Sequence, residues 1–391
     1  MQITKLSVTT VGAGDRNWVF VRVDTSQPGL YGWGEATLEW KTRAVVGAVE
    51  DIAPMIVGED PRSINHVVEK ILKHSFWPLG VIGLTALSAI EQALWDILGK
   101  DCGRPVWQLL GGKVRDRVRV YAHVGSATPG FRYHPIDVEA YVDGALALTE
   151  RGYTALKCLP IPVVRYEAGA GDVRATETLA GRLREAVGPD VDLMFDLHGR
   201  PASVGAAVAL VQALSVAKPL FVEEPIQPGD PGSMRIVADR TGVPLAAGER
   251  LLTLTEFRTL IDSGAVSFVQ PDLCHCGGFS AGRTIAAVAA DSHIGVAPHN
   301  PMGPIASVVG LHFAVATQNF VILEQYSDGF IFFSEVVSSP IQLEDGHWAV
   351  PGTPGLGIDV DERAARKYPF RQEAIAASIA VDHRDGSFAY W

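Results

Sequence analysis

Cysteine is scarce in this chain of 391 residues, which has four: Cys102, Cys158, Cys274 and Cys276. So few, so unevenly spaced, exclude a disulfide framework, and reduced thiols are expected. Long apolar runs are missing too. None reaches the roughly 20 residues that a bilayer-spanning helix requires, which argues against a membrane role. The N-terminus, MQITKLSVTT, alternates apolar and polar residues like a strand and lacks the basic start and apolar block of a signal peptide, so a cytoplasmic location is expected. Positive charge is in deficit, 33 Lys and Arg against 44 Asp and Glu for a net charge of −11, and no basic stripe carries interleaved aromatics. That excludes nucleic acid as the expected partner. Also absent is a Gly-rich phosphate turn after a first strand, the mark of many open doubly wound sheets.

What is present is a globular composition, 47% hydrophobic and 20% charged, in a chain long enough for two domains or for a barrel with an appendage. From about residue 117 onward, short β-branched segments end in polar residues and are followed by Ala/Leu-rich amphipathic stretches. This is the βαβα pattern of a parallel sheet. The predicted strands are RVRVYAHV to Val124, YTALKCL from Tyr153, VDLMFDLH to His198, PLFVEEP to Pro225, PLAAGE to Glu249, VSFVQPD to Asp272, IGVAPH to His299 and FVILEQ to Gln325. Landmarks at the ends of strands three to eight fall at residues 196, 223, 249, 272, 299 and 324, in steps of 27, 26, 23, 27 and 25. Each step fits a strand, a helix of about three turns and two short loops. Such regularity favours a closed barrel.

Residues 1–116 read as an α+β unit, with strands such as NWVFVRVDT and LYGWGEAT followed by helices. Its last helix, TALSAIEQALWDILGK, places Ala86, Ala89, Ile90, Ala93, Leu94, Ile97 and Leu98 at helical spacing, with Gly99 as the expected stop. Residues 117–351 are the barrel. Residues 352–391, rich in turns and charge, are expected to pack back on the N-terminal unit.

Candidate chemistry gathers at the strand ends. Asp196 and His198 are two apart on one predicted strand and so share a face, with Phe195 and Leu197 on the other. Glu223 and Glu249 end the next two strands. Three carboxylates on successive strands at the end of a barrel where active sites lie suit Mg²⁺, a hard cation held by oxygen ligands, with remaining positions left to water and substrate. Each acid alone could be a solvated charge or a partner of Arg200 or Arg250; three in phase outweigh that. Glu224 should face away and support the site from behind. Asp272 and His299 end neighbouring strands, so a carboxylate-to-imidazole hydrogen bond is available that would fix the tautomer and raise the basicity of His299. His198 is then a second acid/base group across the site. Glu324 could donate a hydrogen bond or stabilise charge, or form a plain salt bridge. Lys157 could neutralise a bound carboxylate, or be a surface lysine. Leu159 stands where a second lysine would have supplied another base, leaving proton transfer to the histidines. Cys274-His275-Cys276 is no soft-metal site, since three consecutive residues cannot converge on one ion; it reads as a polar turn hinged at Gly277-Gly278.

The motifs ALWDILGK (93–100), VWQLLGG (106–112), FDLHGR (195–200), FVEEP (221–225), PLAAGER (244–250), QPDLCHCGG (270–278), APHNPMGPIA (297–306) and the tail HRDGSFAYW resemble the enolase superfamily, in its mandelate racemase subgroup, and most of all its acid-sugar dehydratases of the D-galactonate type. The resemblance implies a modified (β/α)7β barrel of the TIM type under an N-terminal α+β capping domain. It implies Mg²⁺ on Asp196, Glu223 and Glu249, with His299 and Asp272 as the base that removes the proton next to a sugar-acid carboxylate. His198 would be the acid that protonates the leaving 3-hydroxyl, while Lys157 and Glu324 help to hold the enediolate. A homo-oligomer is expected by the same analogy. Rivals are epimerisation or cycloisomerisation through the same enediolate, and a barrel that only binds. Capping segments TLEWKTR (37–43) and SFWPLGVIG (75–83) would close over the site and choose the substrate. Pro78 and Leu79 depart from the dehydratase pattern, and RYHPID near His134 and IPVVRYEAGAGD after strand two are idiosyncratic, so the particular sugar acid stays open.

Overall fold

The computed structural model describes residues 1–14, 16–124, 137–159, 166–326, 333–338, 341–372, 387 and 390. RYHPID (except Asp137), the start of IPVVRYEAGAGD and nearly all of HRDGSFAYW lie outside them.

Three antiparallel strands, β1 (Ile3–Ala13), β2 (Arg16–Thr25) and β3 (Tyr31–Glu35), open the chain in the order β1-β2-β3. Helices α1 (Thr42–Ile56), α2 (Ile64–His74) and α3 (Gly80–Cys102) follow, and Val19, Val21, Val23, Val45, Ile52, Ala86, Ile90 and Leu94 form their shared core. Two glycines set how close sheet and helix come: a Cβ on Gly32 or Gly34 would lie within 2.0 Å of the Ala93 or Ala89 carbonyl oxygen of α3. The expected stop at Gly99 is wrong by one turn. Gly99 lies inside α3, where a Cβ would strike Gly355, and the helix ends at Gly103, whose φ of 63° lets its N–H turn back onto the last carbonyls. Among the described residues α3 alone is long and apolar enough to cross a membrane, and 72% of its most apolar window is buried inside the protein.

After the short helix α4 (Val106–Leu109), eight parallel strands follow: β4 (Arg117–His123), β5 (Ala155–Cys158), β6 (Asp192–Asp196), β7 (Phe221–Glu223), β8 (Leu245–Ala247), β9 (Phe268–Val269), β10 (Gly295–Val296) and β11 (Leu323–Glu324). They pair in sequence from β4 to β10, β11 returns to β4, and a bridge between Val296 and Phe320 joins the last gap. The closed barrel expected from the spacing is present. Helices α5 (Val138–Glu150), α6 (Ala170–Val187), α7 (Val204–Leu214), α8 (Pro231–Thr241), α9 (Leu254–Asp262), α10 (Gly278–Asp291) and α11 (Pro304–Ala316) alternate with the strands.

The barrel is filled, not hollow. Tyr121, Ala155, Met194, Phe221, Ala246, Ala297 and Ile322 pack together at its centre. Side chains alternate across a strand, so the residue two positions on points inward again, one layer nearer the C-terminal mouth. From six of these seven, two positions on lead to His123, Lys157, Asp196, Glu223, His299 and Glu324. The apolar plug and the polar site are successive layers of one alternation.

Two buried acids of the N-terminal unit fasten it to the barrel. Glu91 on α3 accepts from the backbone N–H of Phe279 and Ser280 at the start of α10, both at 2.9 Å. Glu35 at the end of β3 accepts from Gly303 N at 2.6 Å and Ala306 N at 2.8 Å at the start of α11. Each carboxylate satisfies N–H groups that a helix start leaves open and sits at the positive end of its dipole. The chain after residue 352 also returns to this unit: Leu356 N donates to Asp96, Asp359 accepts from Tyr31 and Trp33, and Glu362 pairs with Arg22.

His312 of α11 joins three parts. Trp107 N donates to its Nδ1 at 3.1 Å and its Nε2 donates to Leu356 O at 3.0 Å, which requires the neutral ring. Burial lowers its pKa from 6.5 to about 4. The unfolded chain therefore binds this proton first as pH falls. The stability contributed is complete above pH 6.5, is lost between about 6.5 and 4, and amounts to about 3 kcal/mol. Melting temperatures of the wild type and His312→Gln across pH 7 to 4 check this: the wild type is expected to lose more over that window.

Candidate active site

Asp196 ends β6 and faces Glu223 of β7 directly in register. His198 corrects one expectation. It does not share a strand face with Asp196, because the strand stops at Asp196 and His198 has a φ of 49°, in the left-handed region. The turn still brings its ring back: Nε2 lies 2.9 Å from Asp196 Oδ2, and its N–H donates to Asp196 Oδ1 at 2.9 Å. Glu224 is left-handed as well, at 37°, and pairs with Arg250, while Gly199 N donates to its carbonyl. Strained backbone at two adjacent strand ends, held by these bonds, is the kind of local cost that functional sites retain. Glu249 follows Gly248, whose φ of 144° admits only glycine and whose added Cβ would meet Gln270 N at 2.8 Å.

Opposite Asp196, His299 Nδ1 and Asp272 Oδ2 lie 2.8 Å apart, the expected pair, and His299 Nε2 is 3.3 Å from Glu249 Oε2. Asp272 also has His275 Nε2 at 3.7 Å, and His275 Nδ1 contacts Thr85 Oγ1 on α3 at 2.9 Å. Cys274 and Cys276 are buried thiols, pushed up by burial and then by Asp272. The turn is therefore structural, tying α3 to Asp272.

Lys157 is no surface lysine. It is 1% exposed, with Nζ 2.7 Å from Glu223 Oε2, 2.9 Å from Glu324 Oε1 and 3.7 Å from Asp196 Oδ2. Glu324 accepts from Lys157 and from Asn300 N at 2.7 Å and contacts His123 Nε2. Burial opposes its charge, but Lys157 and His299 prevail and hold it well below the usual range.

Negative charge exceeds what these partners neutralise. Burial, then Asp196, pushes Glu223 up to about 7 despite Lys157, and burial, then Glu224, pushes Glu249 well up. Asp196 resists burial because His198 and Lys157 hold it low. Burial alone would lower His299; Glu249, Glu324 and Asp272 raise it well above the ordinary histidine value. Glu223 Oε1 is buried without a hydrogen-bond partner, and Glu249 Oε2, also buried, makes no hydrogen bond beyond its 3.3 Å ionic contact with His299 Nε2. Such orphaned carboxylate oxygens, among acids driven toward protonation by one another, are what a cation site looks like without its cation. A hard divalent ion fits this donor set. Among the described residues, Asp196, His198 and Glu249 bring donor atoms within 4.8 Å of one another; Glu223, drawn to Lys157, stands outside that group.

Residues 2–111 match the family described as mandelate racemase / muconate lactonizing enzyme, N-terminal domain, and residues 140–364 match enolase C-terminal domain-like. The chain belongs to the enolase superfamily. Within it the chain falls in the mandelate racemase subgroup, near the galactonate dehydratases. A D-galactonate dehydratase of Xanthomonas oryzae pv. oryzae is 37% identical over 403 residues, and one of Ralstonia nicotianae is 36% identical over 401, each alignment covering both chains completely. An enolase of Agrobacterium radiobacter, crystallised with Na and L-malate bound, superposes with a TM-score of 0.89 at 34% identity over all of both chains. An enolase superfamily member of Salmonella Typhimurium gives 0.86 at 30% identity, covering 94% of this chain and 98% of its own. The chain is thus an enzyme of the hydro-lyase class, with the superfamily's cap and barrel.

Sequence reasoning overlooks three groups at this site. His123 could have been found, since it ends the first strand in phase with the other five inward residues. Arg16 and Tyr326, which line the same cavity, give no such signal: one opens a capping strand and the other lies beyond the last barrel strand.

Proposed function

We propose that the enzyme is a Mg²⁺-dependent dehydratase of a sugar acid of the galactonate or gluconate kind, and that it converts this acid to its 2-keto-3-deoxy product. The observation that carries the reading is the placement of two imidazoles, His198 beyond β6 and His299 beyond β10, four strands apart around an eight-stranded barrel with carboxylates between them. Asp196, Glu223 and Glu249 would hold the ion, which when bound supplies positive charge to the substrate carboxylate as its α-carbon loses a proton. His299, oriented by Asp272, takes that proton from C2 in its neutral form, which a cation held by Glu249 would favour by offsetting the carboxylates that otherwise raise the ring's pKa. Lys157 and Glu324 fix the charge around the carboxylate. His198 delivers a proton to the 3-hydroxyl, the C3–O bond breaks, water departs, and the remaining enol tautomerises to the ketone.

The same pair of imidazoles would also suit epimerisation, with His198 returning the proton to the opposite face of C2. Incubation with hexonates, pentonates and aldarates in D₂O separates the two. Dehydration gives a 2-keto acid that semicarbazide traps; epimerisation gives deuterated, stereochemically altered starting acid. His198→Asn is expected to lower 2-keto acid formation by about 10²–10⁴-fold while leaving exchange of the α-proton in place. Loss of both together would remove the acid role from His198.

A further inference from the structure

The cavity between barrel mouth and capping domain has a volume of about 510 Å³. The carboxylate and imidazole cluster forms its floor, and Arg16, Glu39, Trp40 and Val81 are among the residues that roof it. Arg16, the first residue of β2, is 6% exposed. Its Nη1 donates to Glu39 Oε1 at 2.6 Å and to Pro301 O at 2.7 Å, and its guanidinium lies 4.6 Å from the centre of the Tyr326 ring. Pro301 is two residues beyond His299, so this roof pair is tied to the strand end that carries the base. Among the described residues the cavity is lined by three Lys or Arg side chains, and each already faces a carboxylate of the protein: Arg16 faces Glu39, Lys157 faces Glu223 and Glu324, and Arg250 faces Glu224.

We propose that the Arg16–Glu39 pair reads the end of the substrate remote from the reacting carboxylate, and that it selects a sugar acid with a neutral hydroxymethyl end over the corresponding dicarboxylate. The assignment rests on the dehydratase reading, which places the reacting carboxylate at the floor between His198 and His299 and directs the rest of the carbon chain to the roof. A terminal hydroxyl both donates and accepts, and a preformed guanidinium–carboxylate pair offers it one partner of each kind. A second carboxylate would meet Glu39 at close range, beside an arginine whose charge is already balanced. That repulsion is screened less than in bulk water, because Arg16 is buried and Glu39 is only 21% exposed. The neighbouring roof and wall residues Leu38, Val81 and Met302 supply nothing to offset it.

The test is calorimetry on the Mg²⁺-loaded full chain carrying His299→Asn, so that bound acid is not consumed, with D-gluconate and D-galactonate each compared with its aldarate. Semicarbazide assays on the chain with His299 intact run alongside. Each aldonate is expected to bind at least about tenfold more tightly than the matching aldarate. Adding Glu39→Gln, which keeps the shape and removes the charge, is expected to narrow that ratio at least about tenfold, chiefly by tightening the aldarate. Adding Arg16→Gln is expected to widen it. Equal or tighter binding of the aldarates overturns the proposal, as does binding of neither class. So does an unchanged ratio in a Glu39→Gln chain that melts at the temperature of its parent. If Glu39→Gln does not fold, the parental ratio and Arg16→Gln still decide. Selective aldonate binding without any 2-keto acid would uphold the pair's role and overturn dehydration, so the two failures are distinguishable.

Discussion

Replacing His299 with asparagine is expected to abolish 2-keto acid formation and α-proton exchange together, each by about 10²–10⁴-fold, the range over which a positioned base contributes. His299 is held from both sides, by Asp272 at 2.8 Å and toward Glu249 at 3.3 Å, so its ring cannot yield its place to another imidazole. His275 already contacts Asp272 and Thr85 and is fixed behind the pair. The joint loss separates His299 from His198, whose removal is expected to spare exchange. Proton NMR in D₂O reads exchange at C2, and semicarbazide trapping reads elimination; a His299→Asn chain that still exchanged would return the base to another group. Asparagine keeps an amide near Asp272, so a melting temperature near that of the wild type will show that the fold is intact.

Removal of the divalent ion is expected to have an effect of similar size but a more telling companion. Dialysis against a chelator is expected to abolish turnover and added Mg²⁺ to restore it. Glu223→Gln and Glu249→Gln should weaken ion binding so far that Mg²⁺ no longer raises the melting temperature, whereas for the wild type saturation at a hundred times Kd stabilises by about 2.7 kcal/mol. In the ion-free protein the order is expected to invert. Glu223 is pushed up to about 7 by burial and Asp196, so the folded state holds its proton more tightly than the unfolded chain. Its contribution is complete below pH 4.5 and is lost as pH rises from there to about 7, because the carboxyl must then ionise among like charges. Above that window the ion-free Glu223→Gln chain should melt higher than the ion-free wild type, and with Mg²⁺ it should melt lower. Differential scanning calorimetry at pH 8, with and without chelator, checks both signs. A glutamine that destabilised the ion-free chain would show that Glu223 serves Lys157 and not a cation.

The eight barrel strands are legible in the sequence because each is short, apolar and in phase, and because the polar residues that end the last six, five acids and His299, recur at nearly constant intervals. Asp272 and His299 are legible for the same reason: neighbouring strands place their ends side by side. His198 is assigned to the right end of the barrel by an argument that fails in detail, since strand alternation cannot foresee that the chain turns left-handed just after Leu197. Lys157 can pass for a surface lysine because its partners, Glu223 and Glu324, come from strands 66 and 167 residues further along the chain. Gly99 and Gly103 are both plausible stops by composition; the approach of Gly355 to Gly99 and the left-handed turn at Gly103 distinguish them only in the folded chain. Arg16 and Glu39 depend on a contact that folding makes between the cap and Pro301, 285 residues away from Arg16.

Glu35 and Glu91 bear on how such an enzyme can be remade. The roof segment 37–43 begins two residues after Glu35, and the segment 75–83 ends eight residues before Glu91, so both roof segments are suspended from anchor points that are themselves seated on the starts of α10 and α11. Those helices follow the strand ends that bear Asp272 and His299. The roof segments and the Asp272–His299 pair therefore share one datum. Exchanging the two roof segments, with lengths and side chains varied, is expected to alter the roof of the cavity while Glu35 and Glu91 keep the cap aligned on α10 and α11.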